Sequence, residues 1–281
     1  MKGLLRDLRD SSKGVVPAVR ERNEFRSIDT YCGFLGHGRS GHSLIGALVN
    51  AHPNAVISHE LHALRFVRRH VPRSILYGLI VERDRWFSAS GAKWWGYSYE
   101  VPGQWQGRWT TLRVIGDKKG GQSTRLLIDH PHLLQKLRKT VGVPLRFLWV
   151  IRNPYDNIAT KYRRPVQRSM EQWTSRYFEG LKTVERVLES ELDPSEIFII
   201  RIEDFIGAPA ESLNAICGFL GLEEEPGYIE ACASVVFQEV SSSRKQVTWT
   251  PELRERVQEG IDGNPHLRGY NFENTAPATD K

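Results

Sequence analysis

YCGFLGHGRSGHSLIGALVN, residues 31–50, begins as a short apolar run, becomes a glycine-rich turn at Gly33, Gly36, Gly38 and Gly41, and then takes up helical spacing through Leu44 and Leu48. A strand, a glycine loop and a helix start in that order make an anion cradle. Glycines let backbone N–H groups converge on one point, and the helix start adds unpaired donors and the positive end of a dipole. Ser40 and Ser43 add hydroxyls, and Arg39 adds a planar, permanently charged fork suited to phosphate. An ordinary strand-to-helix turn that binds nothing is the alternative.

Working outward, residues 54–58 (NAVIS) form a second short apolar strand ending at His59 and Glu60. Strand, loop, helix and strand over about thirty residues make a βαβ unit with parallel strands and a right-handed crossover. Further strands are predicted at residues 112–115, 145–151 and 197–202. Residues 145–151 (LRFLWVI) are apolar almost throughout, as a strand covered on both faces should be. Helices are predicted at residues 41–50, at 123–138 with a break near Pro131, from Pro154, and at 170–190, 209–222 and 251–260. The fold class is therefore α/β, a three-layer, doubly wound parallel sheet, with residues 1–281 as one domain. Residues 1–27 read as a loosely ordered arm or short helix, and residues 275–281 as a frayed tail. Residues 83–111 read as an aromatic-rich insertion, since five of the eight tryptophans fall there. Either they pack as an irregular lobe, or they wall an acceptor pocket.

Composition narrows the partners. With 39 basic and 33 acidic residues the net charge is +6, which favours anionic ligands without arguing for nucleic acid. The clusters Arg65, Arg68, Arg69 and Lys161, Arg163, Arg164 read as solvated faces. Cys32, Cys217 and Cys232 are odd in number and lack metal-ligand spacing, so they read as reduced, buried thiols. No apolar stretch has signal-peptide or membrane-span length, and a cytoplasmic location is expected.

A second anchor lies at residues 152–160, RNPYDNIAT. Ligands of open parallel sheets bind beyond the carboxyl ends of the strands. Arg152 stands at such an end, and Thr160 follows two helical turns later, so the pair can hold one terminal phosphate. Asp156 reads as a carboxylate at a helix start.

The opening loop nearly fits the phosphate-binding pattern G-x-x-x-x-G-K-S, with His42 in the lysine position. Its cation stands three places earlier. Arg39-Ser40-Gly41-His42-Ser43 resembles the phosphosulfate loop of sulfotransferases, [KR]-[ST]-G-T-[ST], except at His42. Residues 152–160 resemble the same family's 3′-phosphate motif, R-N-P-x-D-x-x-x-S, with Thr160 for the serine. The run RSGHSLIGALVNAHPNAVISHE is similar to segments of tyrosylprotein and carbohydrate sulfotransferases, and the C-terminal segments through residue 272 are similar to that family too.

The resemblance implies a co-substrate, 3′-phosphoadenosine 5′-phosphosulfate (PAPS), with adenosine 3′,5′-bisphosphate (PAP) as product and no metal. Gly38, Arg39, Ser40, Gly41, His42 and Ser43 would hold the 5′-phosphosulfate. Arg152 and Thr160 would hold the 3′-phosphate, with Arg244 and Lys245 from a basic loop that lacks the family's usual glycine. Glu60 would be the general base toward a hydroxyl or amine acceptor. His59 and His62 are rivals, and strand alternation turns His59 to the opposite face from Glu60. Lys118, in a Gly-Asp-Lys element at a strand end, would stabilise the departing phosphate together with Arg39, and Lys119 could replace it. Phe237 or Trp249 could stack on adenine, though both read as core. The acceptor would be a small molecule, glycan or lipid, and the oligomeric state stays open. A P-loop nucleotide kinase would need the missing lysine and a magnesium-holding aspartate. A silent adenosine bisphosphate-binding module would not need Glu60.

Overall fold

Successive side chains point to opposite faces of the main sheet, and in four of its five strands nearly all of both sets are buried. That pattern forces helices onto both faces of the sheet. In the computed structural model, which describes residues 12–273, the chain runs α1 (Val15–Arg20), β1 (Thr30–Leu35), α2 (His42–Asn50), β2 (Ala55–His59), α3 (Ala63–Arg68), α4 (Arg73–Ala89) and a small hairpin, β3 (Lys93–Trp94) and β4 (Tyr97–Ser98). It continues through β5 (Val114–Lys118), α5 (Gly120–Asp129), α6 (Leu133–Val141), β6 (Leu145–Ile151), α7 (Pro154–Tyr162), α8 (Met170–Glu191), β7 (Ile197–Arg201), α9 (Ile202–Gly207), α10 (Pro209–Leu220), α11 (Tyr228–Ser234) and α12 (Pro251–Asp262).

Five strands form one parallel sheet in the order β2-β5-β1-β6-β7. Tyr31, Leu35, Val56, Ile115, Phe147 and Trp149 point to one face, under α4, α6, α8 and α12. Cys32, Phe34, Ile57, Leu148, Val150 and Ile200 point to the other, under α2, α10 and α11. On α8 the buried Tyr177, Leu181, Val184 and Leu188 recur every three or four residues. Burying each such side chain contributes about 1.5–3 kcal/mol. β1 lies at the centre, so the chain leaves its carboxyl end toward one half of the sheet and later returns to the other. The crevice of a doubly wound sheet opens at that point.

Several boundaries differ from the expectations. The third large strand extends through Lys118, so the Gly116-Asp117-Lys118 element is strand and not turn. Residues 83–89 belong to α4, whose helical spacing continues past the first tryptophan, and the irregular segment starts only after them. The described part of the N-terminal arm is anchored: Pro17, Ala18 and Phe25 are buried, and the Phe25 ring meets Tyr77 edge-on at 5.5 Å. Gly78 makes that docking possible, because a Cβ there would come within 2.2 Å of the Gly14 carbonyl oxygen. The expected frayed tail, residues 275–281, lies outside the described residues.

Candidate functional site

The loop after β1 is held from three sides. At Gly36 the backbone N–H donates to the Thr124 hydroxyl of α5 at 2.9 Å. The Asn157 amide of α7 donates to Ser40 Oγ at 2.9 Å and to the Gly38 carbonyl at 3.2 Å. Gly121 of α5 approaches so closely that a Cβ would lie 2.8 Å from the Gly38 nitrogen. Gly41 has φ +104°, and its missing side chain leaves space for Ile202 at 2.6 Å. The backbone N–H groups of Gly38, Arg39, Ser40 and Gly41 donate to nothing among the described residues. Unpaired donors converging just before a helix start form an anion cradle. Ser40 therefore shapes the loop from beneath, with its hydroxyl engaged by Asn157. Sequence reading missed Asn157 and Thr124, which carry no motif signal of their own.

His42 borders the cleft, but its ring is engaged by the strand before the loop. Its Nε2–H donates to the Leu35 carbonyl at 2.7 Å, and burial lowers its pKa to about 4, so the ring is neutral. A further cation comes from the neighbouring strand. Lys118 of β5 lies in the buried interior with its stem against Gly46, where a Cβ would meet its Cγ at 2.7 Å. Its Nζ donates to Ser43 Oγ at 2.9 Å and to Glu60 Oε1 at 2.8 Å. Burial pulls the Lys118 pKa down to about 8 against the attraction of Glu60.

Glu60 is clamped. Lys118 holds one carboxylate oxygen and Lys119 the other. Burial alone would raise the Glu60 pKa, but the two lysines outweigh it and hold the carboxyl at about 2. The segment carrying it is fixed by Asp117, which accepts from Ser58 Oγ, Leu61 N and Ala63 N at 2.8–3.0 Å. The expected opposition of His59 and Glu60 fails for a local reason. Glu60 takes φ +62°, so strand alternation ends at His59 and both side chains converge on Lys118. Lys118 Nζ is 3.3 Å from His59 Nε2. The His59 ring is buried and stacked on Phe87 at 3.9 Å, and burial followed by the Lys118 charge lowers its pKa to about 3.

The second anchor assembles as expected and recruits more. Arg152 donates to Thr160 Oγ1 at 3.3 Å, to the Arg39 carbonyl at 3.2 Å and to the Ser241 carbonyl at 2.7 Å. Thr160 donates to Ser243 Oγ at 2.9 Å. Arg244 is elsewhere: it is fully buried against Asp156, with its Nε donating to the Phe272 carbonyl at 2.6 Å. This ion pair ties the loop at residues 241–246 to α7, and so Arg244 positions Ser241 and Ser243 instead of meeting a ligand. Lys245 is exposed and does not line the cleft. Asp156 is structural, as read, with Arg244 as its partner. Trp249 is core, donating to the Arg244 carbonyl, whereas Phe237 is 55% exposed and lines the cleft.

A single cleft of about 1320 Å³ is lined by the glycine loop, Ser43, Glu60, Lys119, Arg152, Thr160 and Ser243, with Lys118 buried behind Ser43 and Glu60. Its walls include Lys161, Arg163 and Arg164, so this cluster is not merely a solvated face. Burial lowers the Lys161 pKa to about 8. The aromatic segment divides between its two readings. Trp94, Trp95, Tyr97 and Tyr99 of the hairpin line the cleft, whereas Trp109 packs against the first core face beneath Arg85. Among the described residues no helix is long and apolar enough to cross a membrane, and no group of three or more His, Cys, Asp or Glu side chains is placed to hold a metal ion.

Comparison with known proteins points the same way. Residues 118–226 match the model of a sulfotransferase family. The fold is similar to that of the sulfotransferase domain of a Synechococcus olefin synthase, at 13% identity and a TM-score of 0.53, covering 84% of this chain and 94% of that one. It is also similar to a sulfotransferase from Mycobacterium avium, at 12% identity and a TM-score of 0.50, covering 92% and 85% respectively. No curated protein matches the chain in sequence. The matched segment holds Lys118 and Arg152 but stops short of the glycine loop and Glu60, whose reading rests on the geometry above.

Proposed function

We propose that this chain is a sulfotransferase that transfers a sulfuryl group from PAPS to an acceptor hydroxyl or amine, with Glu60 as the base, a reading that the match of residues 118–226 to a sulfotransferase family model supports. The observation that carries this reading is the meeting of two separate anion sites in one cleft. One consists of the unpaired loop amides with Arg39, Ser43 and Lys119, backed by the buried Lys118. The other consists of Arg152, Thr160 and Ser243. Arg152 spans them, since it donates to the carbonyl of Arg39. Two anion sites so joined suit a nucleotide phosphorylated at both ends.

The residues present fit that nucleotide. The Arg39 Nε is buried without a partner, and the loop amides are likewise unspent. When bound, the nucleotide supplies an activated sulfuryl group with a phosphate as leaving group. The loop amides and Ser43 would orient it. Lys118 and Arg39 would neutralise charge on the departing phosphate, in a buried setting where such contacts are stronger than in water. Glu60 would take the acceptor proton, a role that typically contributes about 100- to 10,000-fold. For that the carboxylate must leave its lysine clamp. The incoming phosphate competes for the same two ammonium groups, so binding of the donor and release of the base are one event.

Calorimetry tests the reading. PAP should bind in the micromolar range. Adenosine 5′-phosphate, lacking the 3′-phosphate, should bind at least about tenfold more weakly, as expected for loss of one charge-assisted contact set. Binding of ATP with magnesium but not of PAP would sink the proposal.

A further inference from the structure

Tyr99 follows the hairpin and lines the cleft, half-buried. Its backbone is fixed from two sides. Its N–H donates to the Ala92 carbonyl at 3.0 Å. Its carbonyl accepts from Gln106 Nε2 at 2.7 Å, and the same amide group donates to the Ala47 carbonyl of α2 at 3.3 Å. Gln106 Oε1 closes the clip by accepting from the Val101 N–H at 2.8 Å. The aromatic segment is thus tied to the helix that starts at the glycine loop, and Tyr99 keeps a fixed place relative to Ser43 in that helix's first turn.

The side chain turns that place to account. The Tyr99 hydroxyl meets the Ser43 hydroxyl, and both Arg39 and Glu60 act on it electrostatically. Its ring centroid lies 6.0 Å from that of His59, whose Nε2 neighbours Lys118. A lysine ammonium can only donate, so Ser43 Oγ accepts from Lys118 Nζ at 2.9 Å and gives its own proton to the Tyr99 oxygen. The proton of Tyr99 is left over, with no acceptor among the described residues. Burial raises the pKa of the phenol against the pull of Ser43 and Arg39, so the hydroxyl keeps that proton at neutral pH and is a donor.

A relay of donors therefore runs from Lys118 through Ser43 to Tyr99 and ends on an unspent O–H near both the cradle cation Arg39 and Glu60. In the proposed reaction the sulfur lies in that interval, because the loop and Ser43 hold its phosphate and Glu60 takes the proton of the attacking oxygen. We propose that Tyr99 is a donor-recognition residue whose O–H donates to an oxygen of the sulfuryl group of PAPS, with Gln106 as the residue that positions it. The inference rests on the sulfotransferase reading and adds to it the group that tells the loaded donor from the spent product. PAP carries no sulfuryl group and gains nothing from this contact. A hydrogen bond to a charged oxygen is among the stronger ones, and it also holds the sulfuryl group in place for in-line attack.

Paired calorimetry tests this, run without acceptor so that transfer does not consume the donor. PAPS and PAP affinities would be measured for the wild-type protein, Tyr99→Phe and Tyr97→Phe. Phenylalanine keeps the ring and removes only the hydroxyl. In Tyr99→Phe the ratio of PAPS to PAP affinity should fall about ten- to a hundredfold, as expected for a lost hydrogen bond to a charged group, with PAP affinity within about twofold of wild type. Tyr97 is the second cleft phenol of this segment and meets Phe237 edge-on at 5.9 Å, and its phenylalanine variant should keep the wild-type ratio. An unchanged ratio in Tyr99→Phe would overturn the proposal. So would an equal loss for both nucleotides, which would assign this hydroxyl to the shape of the loop. The same fall in Tyr97→Phe would also overturn it, since the effect would then belong to the aromatic wall and not to one O–H. Failure of PAP to bind the wild-type protein would instead reject the underlying sulfotransferase reading.

Discussion

Replacing Glu60 by Gln should strengthen nucleotide binding while abolishing transfer. In the structure the Glu60 carboxylate stands in for a ligand anion, taking one lysine on each oxygen. Its pKa, lowered from 4.5 to about 2 although burial acts to raise it, corresponds to about 3 kcal/mol of net attraction. A phosphate entering the loop must draw Lys118 and Lys119 away from that carboxylate. The lysines keep part of the contact, so about half the attraction should be recovered when the competing charge is removed. That amounts to about 1.4 kcal/mol, or roughly tenfold tighter PAP binding. Gln keeps the shape and removes the charge. Titration calorimetry at pH 7.5 on both proteins reads the affinity, and single-turnover transfer reads the chemistry. The transfer rate should fall by about 100- to 10,000-fold. Unchanged or weaker PAP binding would show that the lysines do not exchange between carboxylate and phosphate. Full transfer activity in Glu60→Gln would remove this residue from the role of base.

Other perturbations separate the supports of the site. Gly41→Ala forces a side chain into φ +104° and against Ile202. It should cost about 1–3 kcal/mol of stability, read by urea unfolding, and weaken PAP binding in the same protein. Asn157→Ala removes the tether on Ser40 and Gly38, and PAP affinity should drop about tenfold, the effect of one to two lost hydrogen bonds, with little change in Tm. Asp156→Ala strands the buried Arg244 charge and should destabilise by about 3–5 kcal/mol. His42 is buried and neutral, with its pKa lowered from 6.5 to about 4. Its contribution to stability is therefore complete above pH 6.5 and is lost as pH falls toward 4. Between pH 6.5 and 5 the loss should be about 2 kcal/mol. His42→Gln should flatten that part of the stability profile, measured by denaturant unfolding at the two pH values.

The sheet was legible because strands buried on both faces leave short, nearly continuous apolar runs whose ends are marked by glycine or proline. Residues 145–151 were read to the residue, since an apolar run covered on both faces has no competing interpretation. Lys118 was harder. A glycine and two charges in a row look like a turn, and only pairing of β5 with β1 and β2 makes them strand. Arg244 misled for a related reason. Its sequence neighbourhood is basic and polar, whereas its energy comes from Asp156, 88 positions away.

By itself the sequence marked the glycine loop before a helix start, the pairing of Arg152 with Thr160, and the place of both at strand ends. These properties are local, set by glycine freedom, helix starts and residue spacing over a few turns. Tertiary structure alone decided what each charge faces. It brought Lys118 from the adjacent strand to Ser43 and Glu60, turned Glu60 into the same space as His59 through one left-handed residue, and retired Arg244 into the interior. Charge placement depends on which distant groups share a buried volume, and linear spacing carries no record of that.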